Sequence, residues 1–410
     1  MLLRKICAVT LCLALLCAPL SVAAESWITD SEEGIPASTL AQEDDSLWET
    51  LTLPADAAAL DIKGKGAILM DIATGTVLYE KDATTHLPIA SVTKIMTLLL
   101  VMEAIDDGLL NYTDVLTCSP TAASMGGSQI WLEPGEQMTV DDLLKAACIV
   151  SANDACAMLA EHIAGSIEGF VARMNTRADE LGMTDTNFLD CSGLNDDAYS
   201  CARDVALMSC ELMREHPDIT RYTTVWMDTL RGGKSQLVNT NKLVRHYAGA
   251  TGLKTGTTSK AGHNLAATAS RDGLSLCAVM LGCETTDDRF GGCRKLLDYG
   301  FANYTLYTPD LSALPLSPIP VLHGTEETVT PTLPAARPLL LKKGQEALVS
   351  TALHLAEDLE APVEKGQIVG EATVTLDGEV VDTYQAITAD RVERLTAFRA
   401  LIWLLESLFA

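Results

Sequence analysis

Ile89-Ala-Ser-Val-Thr-Lys-Ile-Met-Thr-Leu-Leu-Leu-Val-Met-Glu-Ala-Ile105 sets the organisation of this chain. The segment is long, apolar and free of glycine and proline, which suits a buried helix better than a strand. Its first turn carries Ser91-Val92-Thr93-Lys94. Residues three apart share a helix face, so Lys94 lies one turn from Ser91. A hydroxyl becomes a nucleophile when a neighbouring base takes its proton. A lysine can do this once burial or nearby positive charge favours its neutral form. A helix start also offers free N–H groups and a dipole that favour a developing negative oxygen. Taken alone, Ser-x-x-Lys arises by chance in a chain of 410 residues.

On either side of this helix the texture is that of an α/β domain. Gly66–Tyr79 reads as two strands joined at Ala73-Thr74-Gly75. Val140–Ala164 reads as two further helices and Ile167–Leu181 as another. Strand texture returns at Thr251–Thr257, Asn264–Ala269 and Ser275–Leu281, followed by a helix over Arg294–Tyr304. Strands at both ends with helices between predict an antiparallel sheet covered by helices, over 63–308. Seven of the 15 prolines then fall between Pro309 and Pro338. Short strands follow at Ala347–Leu353, Ile368–Leu376 and Glu379–Ile387, the last two joined through Asp377-Gly378, which predicts a small β-rich domain over 309–390.

The termini read differently. Residues 1–24 have the basic start, apolar run and small-residue end of a secretory signal. Residues 25–62 hold ten acidic residues and no Lys or Arg, as expected of a solvated leader. Residues 391–410 have helical spacing, with Leu395, Phe398, Ile402, Leu405 and Phe409 on one stripe and Arg391, Arg394 and Arg399 on its approach. The uncharged run Ala400–Leu405 is far short of the ~20 residues that cross a bilayer. An in-plane amphipathic membrane anchor is expected, the alternative being packing on the β-rich domain or a second chain.

Composition narrows the function. Lys+Arg 29 against Asp+Glu 55 gives a net charge of −26, which argues against a nucleic-acid partner. The 48% hydrophobic content excludes general disorder. Nine cysteines lie outside the signal, an odd number, so at least one is unpaired within the chain; no two have zinc-knuckle spacing. His-Glu-x-x-His is absent, and Gly232-Gly-Lys-Ser235 ends like a P-loop without its leading glycine. No metal and no cofactor are expected.

Two more motifs accompany the serine and lysine. Ser151-Ala152-Asn153 sits at a helix break, where it could relay a proton and grip a backbone, or simply cap the next helix. Lys254-Thr255-Gly256 sits on a strand continuing through Thr257, where an edge could pair with an extended peptide and the lysine and threonine meet a carboxylate. Gly256 would allow close backbone approach. Each motif alone has a bland explanation. All three, in order and on a helix start, an interhelical turn and a strand, do not.

The set resembles that of the low-molecular-mass penicillin-binding proteins, the serine-type D-alanyl-D-alanine carboxypeptidases. Gly252-Leu-Lys-Thr-Gly-Thr-Thr-Ser-Lys-Ala-Gly262, Ser151-Ala-Asn-Asp-Ala155, Asn239-Thr-Asn-Lys-Leu243 and Lys295-Leu-Leu-Asp-Tyr-Gly-Phe301 extend the match. The resemblance implies a β-lactamase/transpeptidase-like domain, a β-rich second domain and a C-terminal tether. It implies Ser91 as acylated nucleophile, Lys94 as its base and Ser151 as proton relay. Asn153 would hold the substrate amide, and Lys254 and Thr255 would meet the terminal carboxylate, with Arg289 assisting and Gly256 letting the ligand approach the backbone. The N–H groups of Ser91 and Thr257 would form the oxyanion hole. The implied substrate is a peptidoglycan stem peptide, with β-lactam antibiotics as acylating inhibitors, at the outer face of the cytoplasmic membrane or in the cell wall. Class A β-lactamases add a Glu-x-x-Leu-Asn loop; here Asp190-Cys-Ser-Gly-Leu-Asn195 has the wrong residue and spacing. A DD-endopeptidase, a β-lactamase and a non-catalytic penicillin sensor are the rivals. His263 is expected to be structural or at the substrate's edge.

Overall fold

The computed structural model describes residues 60–399 and 402. The signal and nearly all of the acidic leader lie outside the described residues. The leader's last residues do not behave as linker, however. Leu60 and Ile62 are buried against the sheet, and the Lys81 ammonium donates to the Ile62 carbonyl at 2.7 Å. Apolar residues spaced two apart were hidden there among acids.

One antiparallel sheet organises the first domain. Its strands are β1 (Gly66–Asp71), β2 (Val77–Lys81), β3 (Ala250–Thr258), β4 (Gly262–Arg271) and β5 (Leu274–Cys283). Their order is β2-β1-β5-β4-β3, so β3 is an edge. The two ends of this domain supply the sheet and its middle supplies helices, as the sequence implies. One face carries α1 (Lys94–Asp106), α2 (Val140–Ile149), α3 (Asn153–Ala164), α4 (Ile167–Glu180) and α5 (Ala202–Glu215), which share a core with Ile68, Met70, Val279 and Leu281. The other face is covered by α6 (Thr286–Asn303), packed on Leu69, Leu265, Leu276 and Met280. Each aliphatic side chain so buried contributes about 1.5–3 kcal/mol.

Helix α1 is nearly all buried, which explains why its sequence shows no polar stripe. Its first turn differs from expectation. Ala90–Thr93 is a short 3₁₀ turn and the α-helix proper starts at Lys94. Helix α6 begins eight residues earlier than Arg294. The Thr285 side chain accepts from the Asp288 N–H and donates to its carboxylate, a capping pair inside what reads as a polar loop.

Strand β6 (Tyr304–Tyr307) follows and pairs with β7 (Leu339–Lys342), so pairing within the β-rich part begins before residue 309. Strands β8 (Val349–Leu355), β9 (Ile368–Leu376) and β10 (Glu379–Thr388) form its main antiparallel sheet. The tail corrects the expectation of a helix from Arg391. Val392 bridges Val363 and Arg394 bridges Gly324 in extended pairing, and the helical turn begins only at Ala397. Val392 is buried in the β-rich core, which fixes this stretch as strand-like. Residues 400–401 and 403–410 lie outside the described residues.

Candidate active site

Ser91 and Lys94 at the start of α1, Ser151 and Asn153 at the α2–α3 break, and Lys254 on edge strand β3 are carried by elements packed on one another. Backbone strain sets the first of these. Ala90 has φ +49 and Ser151 φ +62, conformations that cost a residue with a Cβ about 1–2 kcal/mol. One of these positions precedes the motif serine Ser91 and the other is the motif serine Ser151 itself. Ser91 then sits in the 3₁₀ turn, and the Lys94 ammonium donates to its Oγ at 2.9 Å. Lys94 is fully buried and also donates to the Ser192 carbonyl at 2.7 Å. A buried lysine needs such acceptors, because stripping water from a charge is costly.

The α2–α3 break does not work as a simple cap. The residue preceding α3 is Ala152, with no capping side chain, and Ser151 Oγ is buried with no hydrogen-bond partner. Orphaned buried hydroxyls are rare and call for an explanation. Asn153 is held from one end: its Nδ2 donates to the Gly126 carbonyl at 2.7 Å, and its Oδ1 is buried and unpartnered. Its N–H donates to the Ser128 carbonyl. The 126–132 segment is pinned in turn by Asp154, whose carboxylate accepts from the N–H groups of Ile130 and Leu132. Burial raises the Asp154 carboxyl above the usual range despite those donors.

Strand β3 forms the opposite wall. A Cβ on Gly256 would lie 2.7 Å from the Ile89 carbonyl and 2.9 Å from the Ser91 nitrogen, so the strand runs flush against the serine turn. Lys254 is fully buried and donates to the Thr255 carbonyl at 2.9 Å. The Thr255 hydroxyl donates to Thr240 Oγ1 at 2.7 Å. Arg289 reaches back from α6 and donates to Thr257 Oγ1 at 2.8 Å, leaving its Nε buried and unpartnered. Its neighbour Asp288 instead engages Thr285 and Lys63. His263 pairs with Thr257 across β3–β4, its Nδ1 3.3 Å from Thr286 Oγ1.

Two contributors escaped the sequence reading. Thr240, within the Asn239–Leu243 string, orients Thr255. Asp190 organises the loop that carries Ser192. Its Oδ1 accepts from the N–H groups of Ser192 (2.6 Å), Gly193 and Leu194, and its Oδ2 from Asn195 at 2.7 Å. Burial alone would raise its pKa, but the Asn195, Ser192 and Gly193 donors outweigh it and hold the carboxyl below the usual range. The mismatched Asp190–Asn195 string was the available signal, and its residue type gave no hint of a backbone-binding role.

Three comparisons bear on this arrangement. A family model described as D-alanyl-D-alanine carboxypeptidase matches residues 53–285, and one for the penicillin-binding protein 5 C-terminal domain matches 301–394. The D-alanyl-D-alanine carboxypeptidase DacF of Bacillus subtilis is 40% identical over 324 residues, 78% of this chain and 83% of that protein. The crystal structure of penicillin-binding protein 5 from Haemophilus influenzae has a TM-score of 0.71 at 30% identity, covering 84% of this chain and all of that one. Penicillin-binding protein D2 of Listeria monocytogenes, in an ampicillin-bound form, is 33% identical with a TM-score of 0.54 over 59% of this chain and 99% of its own.

Proposed function

This chain belongs to the D-alanyl-D-alanine carboxypeptidase family and is a serine-type carboxypeptidase of that specificity; on that premise we propose how its residues divide the reaction. Ser91 Oγ attacks the carbonyl of the penultimate D-alanine of a peptidoglycan stem peptide while Lys94, in its neutral amine form, takes its proton. The C–N bond breaks, Ser151 passes a proton to the departing D-alanine nitrogen, and water then hydrolyses the Ser91 ester. Asn153 holds the substrate amide. Lys254 and Thr255 receive the terminal carboxylate with help from Arg289, Gly256 lets the substrate lie close to the strand, and the N–H groups of Ser91 and Thr257 bind the oxyanion. The observation that carries this reading is the 2.9 Å approach of Lys94 Nζ to Ser91 Oγ in a buried setting.

β-Lactams acylate the same serine and leave slowly. A class A β-lactamase would need a free carboxylate to activate the deacylating water, and both oxygens of Asp190 are engaged by backbone N–H groups. The signal and the domain arrangement direct the enzyme outward: 1–24 for export, 63–308 for catalysis, 309–390 as the β-rich unit. The tail tethers it to the outer face of the membrane. Phe398, on the tail's apolar stripe, is 72% exposed, which favours a membrane over packing on the β-rich domain.

Release of free D-alanine from a Lys-D-Ala-D-Ala peptide tests the assignment. The native protein is expected to release it and Ser91→Ala to lose both release and covalent penicillin labelling. Labelling without release would instead identify a sensor, and rapid multiple turnover of penicillin a β-lactamase.

A further inference from the structure

The peptide plane between Ser192 and Gly193 touches both the loop carboxylate and the buried lysine. Its N–H, on Gly193, donates to Asp190 Oδ1, and its carbonyl, on Ser192, accepts from Lys94 Nζ at 2.7 Å. In a planar trans peptide these two groups point in opposite directions. Fixing the N–H on Asp190 therefore fixes the carbonyl on Lys94. The order of hydrogen bonds is Asp190 carboxylate, Gly193 N–H, Ser192 C=O, Lys94 ammonium, Ser91 Oγ.

We propose that Asp190 is a positioning residue for Lys94, acting through this one peptide group. An anion on the N–H side polarises the amide and strengthens its carbonyl as an acceptor. It thus orients the lysine toward Ser91 and favours the lysine's charged form. Three more N–H groups of the loop on the same carboxylate keep the plane from rotating. The loop is also seated directly on the serine turn, since a Cβ on Gly193 would fall 1.9 Å from the Ala90 carbonyl. Other titratable groups face Lys94, namely Cys156 of α3 and Cys191 of the loop itself, and Cys156 in turn lies in the fields of Lys254 of β3 and Asp154 of α3. Among these, Asp190 has a hydrogen-bonded path to the ammonium that runs through a single peptide group.

This rests on Lys94 serving as the base for Ser91. The experiment is the second-order rate of acylation by a fluorescent penicillin, measured across pH for the full chain, Asp190→Asn, Asp190→Glu and Lys94→Ala. Asp190→Asn keeps a carbonyl acceptor for the loop but removes the charge. Its acid limb is expected to move to lower pH by about half a unit or more, with an unchanged melting temperature. An unmoved limb overturns the proposal, because a merely structural role would leave it in place. If Asp190→Asn does not fold, Asp190→Glu decides. It keeps the charge but displaces it, so acylation should fall about tenfold or more with the limb unmoved; wild-type acylation overturns the proposal. Lys94→Ala separates the two failures. Acylation surviving in that variant removes the premise, whereas a dead Lys94→Ala with an unmoved Asp190→Asn limb removes only the role given to Asp190.

Discussion

At Gly193 one added carbon sets two parts of the site against each other. The residue has φ +84 and its ideal Cβ would stand 1.9 Å from the Ala90 carbonyl carbon's oxygen and 2.9 Å from the Ser91 nitrogen, all backbone atoms that cannot swing aside. Gly193→Ala is expected to cut penicillin acylation by about a hundredfold or more, through displacement of the serine turn or of the Lys94 acceptor. Fluorescent labelling against a circular-dichroism melt separates that loss from unfolding. The residue scale also marks how far the sequence could be read. Ser91, Lys94, Ser151, Asn153 and Lys254 were legible because their chemistry demands residue types at short spacings. Gly193 and Asp190 were not. The need for glycine arises from a contact with a residue about a hundred positions away, and an aspartate that binds only backbone leaves no pattern of side chains.

At the scale of elements, the end of β1 carries a titratable group that the reaction does not use. Asp71 is fully buried; its Oδ2 accepts from Thr74, and its Oδ1 has no partner. Burial raises its carboxyl above the ordinary carboxylate range by more than the Thr74 bonds lower it. The folded protein therefore keeps a proton there that the unfolded chain releases, so this group's contribution to stability falls as pH rises from about 4 through the raised value. Asp71→Asn is expected to remove that fall, so that its urea midpoint drops less than the native protein's between pH 4 and pH 7. The strands around it were legible because their alternating or apolar runs end at clear turns such as Asp272-Gly273. Helix α6 was read short for a packing reason. Gly291 and Gly292 break its helical texture, yet a Cβ on Gly292 would lie 2.5 Å from Met280 Cε, so small residues let the helix lie close to β5.

Across the whole molecule the nine cysteines of the described residues are all free and buried. Burial pushes the Cys156 thiol up to about 11 and those of Cys201 and Cys283 to about 12, with Cys148 and Cys191 higher still. The thiolate is the reactive form. Native protein at pH 8 is therefore expected to resist iodoacetamide, and all nine thiols to react once it is unfolded, as counted by mass spectrometry; labelling of the folded state would contradict the burial. The tail gives a second test at this scale. Because Val392 and Arg394 pair with the β-rich domain, a truncation after Thr396 is expected to release the protein from membranes while preserving its melting temperature and D-alanine release. A cut before Arg391 should also lower the melting temperature. Unchanged membrane retention after the shorter cut, with the signal removed, would argue against the tether. Helical spacing alone could not separate these two parts of the tail, since an alternation that suits a bridge to Val363 also fits one turn of a helix.

The flush seating of β3 against the serine turn has a consequence for how this enzyme can change. From Leu253 to Gly256 every position is buried, whether toward the core or toward the site, and the glycine has no room for a side chain. A strand so enclosed offers no position at which a substitution is free. Selection for slower attack by an antibiotic would have to act through the segments 126–132 and 190–195, where backbone groups meet the site and exposed side chains such as Trp131 and Leu194 remain replaceable. The wall that fixes the chemistry is the one least able to drift, and its adaptability resides in the loops facing it.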